Sequence, residues 1–185
     1  TPLSILFVVT AWIQAASPGP YTGFLIAGLT LCLGGDILLA LPGKRAFLAG
    51  LVSFLLGHLF YILAFFSVGT IAVYPLGPAA FGAALAGGLV WRALRPRLGD
   101  MKRPVAGYIV VISLMVVGAF AVLDGSPLGR TGGRLVLAGA LCFYFSDLFV
   151  ARDRFVHKAF SNRLIGLPLY YAGQFMLAFS PAFFA

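Results

Sequence analysis

This sequence predicts an all-α membrane protein: one domain, a polytopic bundle of seven helices. Three observations predict it. Of the 185 residues, 61% are hydrophobic and only 10% charged, whereas soluble domains carry roughly 25% charged residues. The mean hydropathy is +1.02. Apolar runs near the length that crosses a bilayer follow one another along the chain, with Pro or Gly at most of the joints.

The runs read as helices over about 2–16, 21–41, 46–68, 75–92, 104–123, 132–151 and 164–184. The first is short and ends at "SPGP". The second stops at Pro42-Gly43. Pro75 and Pro78 open the fourth, Pro96 and Pro104 bracket the joint to the fifth, and Pro127 precedes the sixth. The chain begins at Thr1 without a basic leader segment, so no signal peptide is evident.

The charge is patterned by loop. Formal net charge is +8, with five Asp and no Glu. Eleven of thirteen basic residues fall in alternate connections: Lys44 and Arg45; Arg92, Arg95, Arg97, Lys102 and Arg103; Arg152, Arg154, Lys158 and Arg163. The other connections hold only Arg130 and Arg134. The rich side is expected to be cytoplasmic, with residue 1 inside and residue 185 outside. Basic residues confined to short loops point to lipid headgroups rather than to nucleic acid. The excess of Arg over Lys, with many Ala and Gly, suggests a GC-rich bacterium and hence its inner membrane. Cys32 and Cys142 lie within apolar runs and read as small packing residues.

Two segments echo each other. "IAGLTLCLGGDILLA" (26–40) and "LAGALCFYFSDLFVA" (137–151) both read Ala-Gly, seven residues, Asp, three residues, Ala. A parallel repeat and a chance likeness between apolar helices both explain this. The echo sets Asp36 and Asp147 four or five residues before the inner end of their helices, at matched depth, roughly 6–8 Å in.

Ionisable residues inside a span are functional candidates by default. Asp36, Asp147 and His58 qualify. Neither aspartate has a basic residue one turn away inside the membrane. A carboxyl group in such surroundings keeps its proton more readily, and that is how a general acid is made usable near neutral pH. The alternative is an interhelical hydrogen bond. His58 shares a helix face with Tyr61, and either a hydrogen-bonded packing histidine or a site residue fits it. Tyr108, Ser113, Tyr170, Tyr171 and Gln174 complete the polar set, with Gln174 at i+3 from Tyr171 and i+4 from Tyr170. Ser146 lacks a Gly-x-Ser-x-Gly elbow and reads as a packing hydroxyl. Arg152 and Arg154 stand where a headgroup phosphate would lie. All three lysines lie in loops, which excludes a retinal Schiff base. Two histidines cannot form a three-His zinc site, and no P-loop or Gly-x-Gly-x-x-Gly occurs. No metal or cofactor is expected.

Four stretches in order, "LGGDILLALP" (33–42), "FLAGLVSFLLGHLFYILAF" (47–65), "LAGALCFYFSDLFVARDRF" (137–155) and "LIGLPLYYAGQFMLAFS" (164–180), make the chain similar to the YhhN family of lysoplasmalogenases. The resemblance covers nearly the whole chain. It implies a polytopic membrane hydrolase that cleaves the vinyl-ether bond of a lysoplasmalogen to a fatty aldehyde and a glycerophospho-base. The family usually has eight spans, against seven here, and the chain starts near the family's second helix. Where the family often has Lys-Pro-Leu, this chain has Thr1-Pro2-Leu3.

Vinyl-ether hydrolysis passes through an oxocarbenium-like cation, which two carboxylates suit, as in glycosidases. Asp36 and Asp147 are the expected catalytic pair. His58, Tyr61, Tyr108, Tyr171 and Gln174 would orient water or substrate, and Arg152 and Arg154 would hold the phosphate of a lysophospholipid. An intramembrane aspartyl protease, with Gly-x-Gly-Asp only half met at Leu33, and a small transporter or lipid-binding protein using the aspartates as proton or cation sites are the alternatives.

Overall fold

The computed structural model describes residues 2–15, 19–69, 73–123 and 126–183. The expected end of the first helix at 16, the boundary proline Pro18 and the expected last helical residue, 184, lie outside them. Seven α-helices run in order: α1 (Pro2–Ile13), α2 (Pro20–Ala40), α3 (Lys44–Val68), α4 (Val73–Leu94), α5 (Lys102–Leu123), α6 (Gly129–Phe155) and α7 (Phe160–Phe179). Short 3-10 turns join α4 to α5 and extend α7. No strand occurs among the described residues.

Several expected boundaries move. α4 begins at Val73, so Pro78 is its sixth residue, past the first turn whose amides are free in any case, and the helix forgoes one backbone hydrogen bond there. Arg152 and Arg154 belong to the last turn of α6, not to a loop, where cations favour the negative end of the helix dipole. The turn between α2 and α3 is as expected. Leu41 leaves the helix in an extended conformation, and Gly43 takes φ 107°, a region glycine enters without Cβ strain.

Four helical segments are long and apolar enough to cross a membrane: α2, α3, α5 with the turn before it (Gly99–Leu123), and α6. α1 is apolar but has only 12 residues. α7 opens on the polar Ser161-Asn162-Arg163, and α4 is diluted by Gly and Ala. Large apolar side chains also face outward, while a few polar ones are fully buried. Ile13, Phe81 and Phe160 are 74%, 72% and 78% exposed, while His58, Tyr61 and Gln174 are 0% exposed. Large exposed side chains on every face suit lipid as the solvent. The chain is an integral membrane protein.

Six helices close a ring. α1 packs on α2, α2 on α3, α3 on α5, α5 on α6, α6 on α7, and α7 on α1. α4 stays outside, chiefly against α5. Small residues set the tightest contacts, as expected where lipid supplies no hydrophobic drive between helices. A Cβ on Gly57 would lie 3.1 Å from the Gly28 carbonyl oxygen and 2.9 Å from Cys32 Sγ. On the opposite side, a Cβ on Gly173 would lie 2.8 Å from the Gly139 carbonyl oxygen and 3.2 Å from Cys142 Cβ.

These two contacts correspond. Gly28 and Gly139 each stand eight residues before their aspartate. One helical turn pair further on, Gly50 faces the Gly35 carbonyl and Gly166 the Ser146 carbonyl, and Gly35 and Ser146 each directly precede an aspartate. Neighbour relations repeat as well: α1–α2–α3–α5 matches α5–α6–α7–α1. The likeness between residues 26–40 and 137–151 is therefore matched in the packing. A three-helix unit occurs twice, with α4 as the link.

Candidate active site

Each ring helix places one or more side chains in a shared interior cluster. α1 supplies Ser4, α2 Cys32 and Asp36, α3 Phe54, His58 and Tyr61, α5 Tyr108, α6 Phe143 and Asp147, and α7 Tyr170 and Gln174. α4 supplies none of these.

Asp36 is held by hydroxyls from two helices. Its Oδ2 accepts from Ser4 Oγ at 2.5 Å and from Tyr170 OH at 2.8 Å. Tyr170 in turn accepts from Gln174 Nε2 at 3.3 Å, and Gln174 Oε1 accepts from Tyr61 OH at 2.7 Å. The Tyr61 hydroxyl also lies 3.6 Å from Cys32 Sγ. A continuous chain of polar groups thus runs Asp36–Tyr170–Gln174–Tyr61 across the ring. A buried amide needs such partners, and here both ends of the Gln174 side chain have one.

Asp147 is held separately. Tyr108 OH donates to its Oδ2 at 2.5 Å. The two aspartates share no hydrogen bond among the described residues. Aromatic rings lie between their anchors. Phe143 packs edge-on to Tyr170 (centroids 5.2 Å apart) and to His58 (4.6 Å), and His58 packs edge-on to Tyr108 (5.3 Å).

The expected matched depth changes. Asp36 stands four residues before the end of α2, whereas α6 continues to Phe155 and leaves Asp147 eight residues from its end. Counted from helix ends these are about 6 Å and about 12 Å. The cause is the extra turn of α6 that carries Arg152 and Arg154.

His58 Nδ1 lies 2.6 Å from the Phe54 carbonyl oxygen. A carbonyl only accepts, so Nδ1 bears the proton and Nε2 presents a lone pair. That Nε2 is buried and has no hydrogen-bond partner among the described residues. An unmet buried acceptor is costly and suits a place where a water or a substrate hydroxyl is received.

The remaining expected residues divide. Tyr61, Tyr108 and Gln174 join the cluster. Tyr171 makes no side-chain hydrogen bond among the described residues and packs on Tyr170 at 5.0 Å. Tyr170, one position earlier, is the residue bonded to Asp36. The i+4 spacing to Gln174 carried that signal, because Gln174 bonds the residue one turn below it. Ser4 gave none: it is one hydroxyl in an apolar run. Ser146 Oγ donates to the Phe143 carbonyl of its own helix at 2.7 Å. Arg152 is exposed, and Arg154 stacks over the Phe47 ring at 4.3 Å. No group of three or more metal-ligating side chains occurs among the described residues.

The chain is similar to several known proteins. The rat lysoplasmalogenase TMEM86B is 32% identical over 181 residues, covering 95% of this chain and 68% of that protein. The Mycobacterium tuberculosis (strain CDC 1551 / Oshkosh) lysoplasmalogenase is 34% identical over 156 residues, 80% of this chain and 55% of that protein. The Escherichia coli O157:H7 membrane protein YhhN is 26% identical over 179 residues, 95% of this chain and 82% of that protein. The chain thus spans about two thirds of the rat relative and about half of the mycobacterial one. No solved structure matches it. The YhhN family profile matches residues 1–181, and the chain belongs to the YhhN family.

Proposed function

We propose that this protein hydrolyses the vinyl-ether bond of a lysoplasmalogen, using Asp36 and Asp147 in the interior of the ring. One observation supports the reading: two carboxylates, each held by a tyrosine hydroxyl, flank a buried histidine whose Nε2 has no hydrogen-bond partner among the described residues. The relatives named lysoplasmalogenase support the substrate class.

The step needs a proton delivered to carbon. A carboxyl group gives its proton to the vinyl β-carbon, and the C=C electron pair forms the new C–H bond. The adjacent carbon and the ether oxygen then share the positive charge. The second carboxylate stabilises that cation electrostatically. Water adds to the carbon and loses a proton to His58 Nε2. The resulting hemiacetal breaks its C–O bond to glycerol: its hydroxyl proton passes to the carboxylate that gave the first proton, the glycerol oxygen takes the proton held on His58, and a fatty aldehyde leaves with both groups restored.

The hydrogen bonds favour one division of labour. Asp36 Oδ2 accepts two hydroxyl donors, an arrangement suited to an anion. Asp147 accepts one. Asp147 is therefore assigned as the proton donor and Asp36 as the cation-stabilising carboxylate. Arg152 and Arg154 follow Asp147 by five and seven residues, about 8 and 11 Å along the helix. Arg154, seven residues on, shares the helix face of Asp147, and helical side chains lean back toward the N-terminus, which brings its guanidinium toward a glycerophosphate bound at Asp147; Arg152, five residues on, faces about 140° away.

All seven helices would cross the membrane, with the basic ends on the cytoplasmic side and the site open to that leaflet. The deciding experiment is turnover of purified protein with a vinyl-ether lysolipid beside its ester and alkyl-ether analogues. Aldehyde should form from the vinyl ether alone. Full aldehyde release by both Asp36→Asn and Asp147→Asn would overturn the mechanism.

A further inference from the structure

A row of small residues on α4, Ala80, Ala83, Ala84, Gly87 and Gly88, spaced to share one helix face, lines a groove beside α5. At Gly87 the helices touch, since a Cβ there would lie 3.1 Å from Ser113 Oγ and 3.2 Å from Ile109 Cγ2. At Gly88 there is open space, with nothing within 4 Å of such a Cβ. The groove, about 470 Å³ in volume, is walled by these residues and by aliphatic side chains of α5.

The groove ends at Trp91, and Trp91 also lines a second cavity of about 390 Å³ with Arg92, Arg95, Pro96 and Lys102. Three cations therefore gather at one mouth of an apolar channel, with no carboxylate in its lining. The one acidic residue of this connection, Asp100, is paired to Lys44 at 3.3 Å. Trp91 sits at the junction, the level where an amphipathic ring is favoured between hydrocarbon and headgroups.

We infer that the groove and the basic cavity together bind one anionic diacyl phospholipid of the surrounding membrane. An acyl chain lies along the α4–α5 groove, and the phosphate meets Arg92, Arg95 and Lys102. Charge complementarity selects the headgroup. The two cavities adjoin at Trp91, which lines both, and an apolar groove beside a basic cavity selects a lipid over a free anion. None of Asp36, His58, Tyr61, Tyr108, Asp147 or Gln174 lines either cavity, so the site is separate from the interior cluster and independent of its chemistry.

The test is lipid binding to the purified full chain in detergent, read by native mass spectrometry. The probes are dioleoyl phosphatidylglycerol, dioleoyl phosphatidylcholine and glycerol 3-phosphate. Phosphatidylglycerol should bind at least tenfold more tightly than phosphatidylcholine. The Arg92→Gln/Arg95→Gln/Lys102→Gln variant should lose roughly 100-fold, since three cations leave the headgroup. Arg92→Lys/Arg95→Lys should retain most of the affinity. Ala84→Phe keeps the charges but fills the groove, and should also lose binding at least tenfold. If the triple variant does not fold, Ala84→Phe decides alone. Equal affinity for the two lipids overturns the inference. So does unchanged phosphatidylglycerol binding by Ala84→Phe, or glycerol 3-phosphate binding as tight as that of the lipid.

Discussion

Tyr170 OH donates to Asp36 Oδ2 at 2.8 Å, joining residues 134 positions apart in the chain. The same hydroxyl accepts from Gln174, and the ring packs edge-on to Phe7, Phe54 and Phe143. One side chain thus serves both the packing and the polar chain. Phe at this position separates the two roles. Tyr170→Phe should keep the fold within about 1 kcal/mol, the net worth of a typical hydrogen bond. Aldehyde release from a vinyl-ether lysolipid should fall by about 10- to 100-fold, in proportion to one lost charge-assisted bond of about 1.5–3 kcal/mol. Tyr171→Phe should leave the rate unchanged.

His58 offers a sharper contrast. His58→Gln retains a polar group, whereas His58→Phe fills the edge-on aromatic contacts with Phe143 and Tyr108 but has no acceptor. If Nε2 takes the proton from water, His58→Phe should fold normally and lose roughly 10²–10⁴ in kcat, the usual worth of general base catalysis. A His58→Phe variant with the wild-type rate would assign the residue to packing alone.

The glycine contacts predict stability. Gly57→Ala puts a Cβ 3.1 Å from the Gly28 carbonyl oxygen and 2.9 Å from Cys32 Sγ. Backbone cannot give way cheaply, so α3 should move off α2 at a cost of about 1–3 kcal/mol. Gly23→Ala, on the same α2 but with nothing within 4 Å, should be neutral or stabilise by up to about 1 kcal/mol through the helix preference of alanine. Thermal unfolding in detergent compares the two. Equal midpoints would show that the ring tolerates wider helix spacing.

The α6–α7 turn depends on one carboxylate. Asp153 Oδ1 accepts from the Ala159 amide and from Asn162 Nδ2, each at 3.1 Å, and Asn162 Nδ2 also donates to the His157 carbonyl at 2.8 Å. Asp153→Ala should cost about 1–3 kcal/mol, because buried Asn162 loses a partner. Removing the long Arg163–Asp153 contact of 3.8 Å by Arg163→Ala should cost well under about 1 kcal/mol, since exposed pairs contribute little. Unfolding midpoints of the two variants check the order.

Much of this molecule was legible in one dimension. Apolar length marks helices because a chain in lipid must satisfy its own backbone hydrogen bonds. The seven helices, the rarity of buried ionisable groups and the likeness around Asp36 and Asp147 therefore stood in the sequence. The end of α6 beyond Arg152 did not, because a charged turn obeys dipole preferences that hydropathy ignores. Which tyrosine of the pair 170–171 meets Asp36 was also undecided. Adjacent helical residues differ by 100° in direction, and only the packing of α7 between α1, α2 and α6 fixes that rotation. Ser4 joins Asp36, and Tyr108 joins Asp147, through the way α1 packs on α2 and α5 on α6, which hydropathy does not set. Sequence by itself determined that two carboxylates lie inside the apolar helices. Tertiary structure decided that each has its own hydroxyl partner, with His58 and Phe143 packed between the two tyrosines, because contacts between helices depend on how glycines let their backbones approach.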